Sequence, residues 1–148
     1  MEQEEIKRAL GELLRSQRLA VLATHDEGRP YANLVAFAAT DDLRTILFAT
    51  PRTTRKYANL VADPRAAVLV DNRSNEEADF HRAMAATATG PAREVAPSDR
   101  RPWLELYLKK HPHLEDFVRS PTCACMELSV ERYVLVNRFQ QVTELHLS

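Results

Sequence analysis

The order in which the hydrophobic period changes along the chain is its tightest constraint. Residues 3–16 place Ile6, Leu10, Leu13 and Leu14 at the i, i+4, i+7, i+8 spacing of a helix with one apolar face. After residue 17 the period shortens. RLAVLAT (18–24), YANLVAFAAT (31–40) and RTILFAT (44–50) are short extended runs, separated by DEGRP and by Asp41-Asp42. Three such runs joined by tight turns predict an antiparallel meander. A helix is expected at 53–62, with Tyr57, Leu60 and Val61 on one face and a stop at Asp63-Pro64. A strand at 65–71, a polar loop at 72–79 and a long strand at 82–95, bent at Gly90-Pro91, follow. Ser98 reads as the N-cap of a helix running to about Lys110, and Pro112 opens a short turn through Val118. Strands at 123–136 and 142–147 close the chain, with residues 137–140 between or within them.

No regular βαβ alternation occurs, which argues against a doubly wound parallel sheet. About six strands, mostly hairpin-linked, predict a mainly β fold with flanking helices, built as a small closed or split antiparallel barrel. The 148 residues match one domain, with 45% hydrophobic residues to fill its core. The expectation is one barrel over 1–148, with 1–16 as an N-terminal helix and 98–118 as a helical insertion. No internal repeat or low-complexity block breaks it.

Charge is nearly balanced, at −1 overall, which disfavours a nucleic-acid binder. The average hides one segment. Arg44, Arg52, Arg55, Lys56, Arg65 and Arg73 face only Asp63 and Asp71, so residues 44–73 carry +4. Within it, Thr53 or Thr54 is a good N-cap, which places Arg55 and Lys56 in the first helical turn. Cations there oppose the helix macrodipole at a local cost of up to about 1 kcal/mol each. A bound phosphate would reverse that sign by accepting from free backbone N–H groups, threonine hydroxyls and two cationic side chains. A solvated basic helix start is the plainer alternative.

Other polar candidates stand alone. Asn33 is the only amide in an apolar strand, and it either points outward or needs partners inside. Arg82 precedes a strand of small residues that could line a flat ligand or simply pack tightly. Arg138, in a late strand or turn, reads as a surface ion-pair residue. Cys123 and Cys125 sit one residue apart on a strand, share one face, and read as small core residues in a reduced, cytoplasmic chain. His25, His81, His111, His113 and His146 have no metal-ligand spacing, so no metal is expected. The charged N-terminus has no signal-peptide pattern, and no apolar run is long enough to cross a membrane.

Four pieces in order carry a family resemblance: Arg29-Pro30-Tyr31-Ala32-Asn33-Leu34-Val35, Ile46-Leu47-Phe48-Ala49-Thr50, Thr54-Arg55-Lys56 and Asp63-Pro64-Arg65. Together they resemble the pyridoxamine 5′-phosphate oxidase-like flavin-binding split barrels, well over residues 18–95 and loosely beyond. The resemblance implies a six-stranded antiparallel split β-barrel that binds FMN at a homodimer interface. It places Arg55 and Lys56 on the FMN phosphate, with Thr54 as the hydroxyl residue before them. Ala49 and Thr50 fall at the strand end beside the flavin. Asn33, Leu34, Val35 and Ala36 fall on the strand that holds the ring and ribityl chain, and Arg82 opens the region that reaches the partner subunit's flavin. Two departures stand out. Asn33 replaces a frequent arginine, and no glutamine occurs at 82–85. The tail Tyr133-Val134-Leu135-Val136-Asn137-Arg138-Phe139-Gln140 also lacks the Arg-x-His element of the vitamin B6 oxidases, so B6 oxidation is not expected. The resemblance thus implies an FMN-dependent oxidoreductase acting on another small substrate, with no catalytic side chain singled out. The alternative is a non-catalytic flavin- or haem-binding module on the same fold, with His81 foremost as a haem ligand.

Overall fold

The computed structural model describes residues 2–137 and 140–147; Arg138 lies outside them. Helix α1 (Gln3–Ser16) forms where the periodicity predicts it and buries Ile6, Leu10, Leu13 and Leu14. Glu4 and Glu5 in its first turn and Arg15 in its last suit the helix dipole. Strands β1 (Leu19–Asp26), β2 (Arg29–Ala39) and β3 (Thr45–Pro51) form the expected antiparallel meander. The β1–β2 turn has two residues, Glu27 and Gly28, both at positive φ (50° and 84°), the twist that favours a tight hairpin. Helix α2 (Arg55–Ala62) follows, then β4 (Arg65–Asp71), the single turn α3 (Asp79–Arg82) and β5 (Ala85–Glu94). Helices α4 (Arg100–Lys110) and α5 (Glu115–Arg119) precede β6 (Cys123–Ser129), β7 (Arg132–Asn137) and β8 (Gln141–His146).

Six strands close a ring in the order β4-β1-β2-β3-β6-β5, sealed by pairing of β5 with β4 from Arg65↔Pro91 to Asp71↔Ala85. This is the expected closed antiparallel barrel. The β7–β8 hairpin extends it from the other edge of β5. Inward residues make the core: Leu22, Phe37, Ile46, Phe48 and Leu128 are fully buried. Each such side chain contributes roughly 1.5–3 kcal/mol of burial. α1 covers one end of this core and α2 the other.

The outward residues of β3 and β6 form a second core beneath α4 and α5. Trp103 donates to the Met126 carbonyl (2.9 Å), Tyr107 donates to the Ala36 carbonyl (3.0 Å), and their rings stack at 4.5 Å. Cys123 and Cys125 share this face, both free and buried, as their spacing predicts. Burial pushes the Cys123 thiol up to about 11, so it stays protonated and inert.

Three boundaries differ from expectation. Arg82 belongs to α3, an exposed helical turn, because the Asp79 carboxylate binds the backbone N–H groups of Ser74, Asn75 and Glu76 and folds the loop back. Ser98 lies in a 3-10 turn (Pro97–Asp99), and α4 begins after Asp99 without a side-chain cap. The 123–136 run is two strands. β6 pairs with β3 as far as Ser129 and with Ala92–Glu94 of β5 on its other edge; Val130 then donates to Arg44 and Glu131 to Thr89 (2.8 Å each), and the chain continues as β7 along Ala85–Thr89 of β5.

That crossing explains Gly90. A Cβ there would sit 1.8 Å from the Ser129 carbonyl oxygen, where β5 exchanges β7 for β6 as its neighbour. Gly90 has no positive φ, so the requirement is space alone. Gly90→Ala should therefore destabilise the protein by at least about 3 kcal/mol in urea unfolding, despite the lower entropy of the mutant's unfolded chain. A neutral or stabilising result would contradict the close approach.

Candidate functional site

The segment from β3 to α2 is locked by short-range bonds. Thr50, fully buried, ends the inward face of β3, and its hydroxyl lies 2.6 Å from that of Thr54. Thr54 is the N-cap: its Oγ accepts from the Tyr57 N–H (3.3 Å), and its hydroxyl lies 3.0 Å from the Pro51 carbonyl oxygen that accepts from it. Of the two threonines offered by the sequence, the chain uses the second. Arg55 and Lys56 are thereby fixed in the first turn, where the leading N–H groups have no intrahelical acceptor.

Ion pairing sorts the basic segment. Arg52 donates to both Glu94 oxygens and to the Pro121 carbonyl (2.8 Å), and Tyr57 donates to Glu94 Oε1 (2.7 Å). Arg65 is held by Asp63 and Arg73 by Asp71. Arg55 and Lys56 have no carboxylate partner among the described residues. Arg55 lies over the Tyr31 ring, 5.6 Å from its centre, which joins the first turn of α2 to the start of β2. Lys56 is half-buried, and burial alone lowers its pKa. The Glu94 carboxyl is held below the usual range, first by the Arg52 hydrogen bond, so it remains a fixed negative charge at the barrel mouth.

Asn33 points inward. It pairs with Leu22 in the β1–β2 register and shares the inner face with Val35 and Phe37. Its Oδ1 is buried without a hydrogen-bond partner. Among the described residues the only comparable atom is His25 Nε2, which lies 3.0 Å from an Asp63 oxygen, off the hydrogen-bonding direction, and so has an electrostatic partner. Asn33 has none. A buried acceptor left unmade costs about 1–3 kcal/mol, and this one sits in the strand whose first residues touch α2.

The other expected positions divide by face. Val35 is inward and buried, and Leu34 is outward and 63% exposed. Ala36 and Ala49 point outward into the second core, so their side chains are covered by α4. Arg82 stands apart in α3. Thr50, Thr54, Arg55 and Lys56 are thus brought together at one barrel end, with Asn33 on the strand beside them. Tyr31, Arg52, Tyr57 and Glu94 are not among the candidate site residues that the sequence offers. Glu94 reaches Arg52 only through barrel closure, across 42 residues of chain. Tyr31 carried a usable signal, an aromatic ring two residues from Asn33 on the same face.

The family model for pyridoxamine 5′-phosphate oxidase matches residues 6–137. No curated protein matches the sequence. Solved structures with the same fold include a haem-binding protein from Mycobacterium smegmatis, with 17% identity and a TM-score of 0.80 over 92% of this chain. This chain spans 56% of that protein. General stress protein 26 from Bacillus anthracis has 16% identity and a TM-score of 0.74, covering 97% of this chain and 99% of its own. A FAD-binding protein from Mesorhizobium loti has 16% identity and a TM-score of 0.71, covering 86% and 90%. At such identities the likeness is one of fold, whereas the family model covers most of the sequence. The chain belongs to the pyridoxamine 5′-phosphate oxidase-like family.

Proposed function

We propose that the protein is an FMN-binding oxidoreductase that works as a homodimer, with hydride or electrons passing through the flavin to a small substrate. The observation that carries this reading is the Arg55–Lys56 pair, unpaired beside a capped helix start, in a segment whose Arg52, Arg65 and Arg73 all have carboxylates. Phosphate chemistry fits that geometry: two cations, free N–H groups and the positive end of α2. Asn33 Oδ1 would accept from the ribityl chain or ring, removing the buried orphan. The flavin ring, when bound, supplies the redox chemistry. The chain's part is to grip, orient and shield it. Glu94, committed to Arg52 and Tyr57, adds a fixed charge rather than a mobile proton.

The outward face of β1 and β2 supports the second subunit. Leu19 and Leu34 are 55% and 63% exposed, with Val21 and Leu69 between small neighbours on the same sheet face. Such a patch is unusual for a monomer, and a second copy covering it would complete a cleft that one barrel leaves open.

The purified protein should be yellow or bind added FMN tightly. Lys56→Ala should weaken that binding at least tenfold by loss of a charge-assisted contact, while exposed Lys7→Ala leaves it unchanged; equal affinities for Lys56→Ala and wild type would remove the site. A haem titration giving a Soret shift that His81→Ala abolishes, with no FMN binding, would favour the haem-binding alternative.

In sedimentation the protein should run as a dimer, and Leu34→Asp should shift it to monomer with loss of FMN affinity. A concentration-independent monomer that binds FMN normally would overturn the shared cleft. Pyridoxine 5′-phosphate should show no appreciable oxidation by the flavin-loaded protein in a hydrogen peroxide assay, because the tail lacks the Arg-x-His element; robust turnover would reassign the substrate.

A further inference from the structure

A second cation cluster occupies the opposite end of the barrel. A cavity of about 230 Å³ lies between α1, α4 and the β2–β3 turn, with Arg15, Lys109 and Lys110 on its lining and Asp41 as its one carboxylate. Asp41 forms no ion pair with any of the three, and none of them has a carboxylate partner among the described residues. The rest of the wall is apolar, chiefly Leu14, Leu43 and Leu106. The cavity adjoins the end of β3 at Thr45, whereas α2 starts beyond Pro51. Seven strand residues at about 3.3 Å each separate the two sites by roughly 20 Å along the strand.

Two details describe how the cations are held. The Lys110 ammonium donates to the Leu14 carbonyl at the end of α1 (2.8 Å) and lies 4.0 Å from the centre of the Phe37 ring. It is a half-buried cation held by a carbonyl and a ring face, with donors to spare. Burial pushes it down to about 8, and a neighbouring anion would raise it again. The second detail is Gly11. Glycine inside a 14-residue helix costs about 1 kcal/mol relative to alanine. At this position a Cβ would come within 2.9 Å of the Arg15 guanidinium. That contact is with the far end of a flexible side chain, so it places no demand for glycine and marks only where Arg15 rests, folded over Gly11 at the cavity.

We infer that this cavity binds a small organic carboxylate with a short apolar body, its charge between Lys110 and Arg15 and its body against the leucine wall. The volume lies below the 300–1,000 Å³ common for drug-sized ligands, so a small ligand fits it better than a nucleotide or flavin. An inorganic anion would satisfy the cations and leave the apolar wall unused. The inference is independent of the flavin reading, since it involves the other barrel end and none of the same residues.

Benzoate is the probe, titrated into the full-length protein by calorimetry and amide NMR. Saturable one-to-one binding is expected, with shifts centred on Gly11, Ala38, Ala39 and Leu106 and absent at Thr54, Arg55 and Lys56. Benzyl alcohol and inorganic phosphate should each bind at least tenfold more weakly, and Lys110→Met should lose at least tenfold in benzoate affinity. No saturation up to about 10 mM, shifts centred elsewhere, or equal binding of either control ligand would overturn the site. The wild-type shift map decides the matter even if Lys110→Met fails to fold.

Discussion

The barrel depends on one close approach, that of the Ser129 carbonyl to Gly90. A strand has only two edges, and β5 must serve three neighbours: β4 along one edge, then β7 and β6 in succession along the other. The chain changes neighbour where Val130 bonds to Arg44 and Glu131 to Thr89. At that step β6 and β5 come closer than side chains permit, so only glycine fits. Because the step succeeds, each of the six ring strands has a neighbour on both edges over at least part of its length, which shortens the edges open to further pairing. The inward side chains then form a continuous core with two open ends, and helices cover those ends.

The covering of those ends turns a stable barrel into a candidate binding protein. At the β3 end, Thr50 and Thr54 are spent on each other and on the backbone, and Arg52 and Tyr57 are spent on Glu94. These contacts make the start of α2 rigid while leaving Arg55 and Lys56 unneutralised. A segment that looks uniformly basic in one dimension is thus divided in three. Arginines near an acid in sequence or across the barrel become structural, and the cations in the first turn of α2 remain available. Asn33 follows the same logic from within, as a polar side chain placed by strand alternation where no described group satisfies its oxygen.

Local chemistry made much of this legible. α1, the first hairpins and α2 follow from period, Gly28 and Thr54, because each depends on neighbours within a few residues. The long-range closure was not legible in detail. The run 123–136 is continuous in hydrophobicity, and only its change of neighbours after Ser129, from β3 to β8 with a shift along β5, divides it. Arg82 misled for a different reason: the Asp79 carboxylate folds its own loop into a turn, which overrides the strand-like sequence that follows. Whether Asn33 faced in or out was undecidable until the β1–β2 register paired it with Leu22. Glu94 carried no signal at all, since its importance comes from two strands brought together by closure.

On the two readings proposed above, one fold discriminates among anions without a dedicated loop. Both ends hold a half-buried lysine whose ammonium is disfavoured by desolvation and forms no ion pair among the described residues. Their surroundings differ. Around Lys56 the further groups are backbone donors and a helix start, which match the several oxygens of a phosphate. Around Lys110 they are leucines, an aromatic ring and a guanidinium, which match a single carboxylate carried on an apolar body. Both proposed sites take a negative charge; the neighbours of that charge, polar in one case and oily in the other, would set the class of ligand.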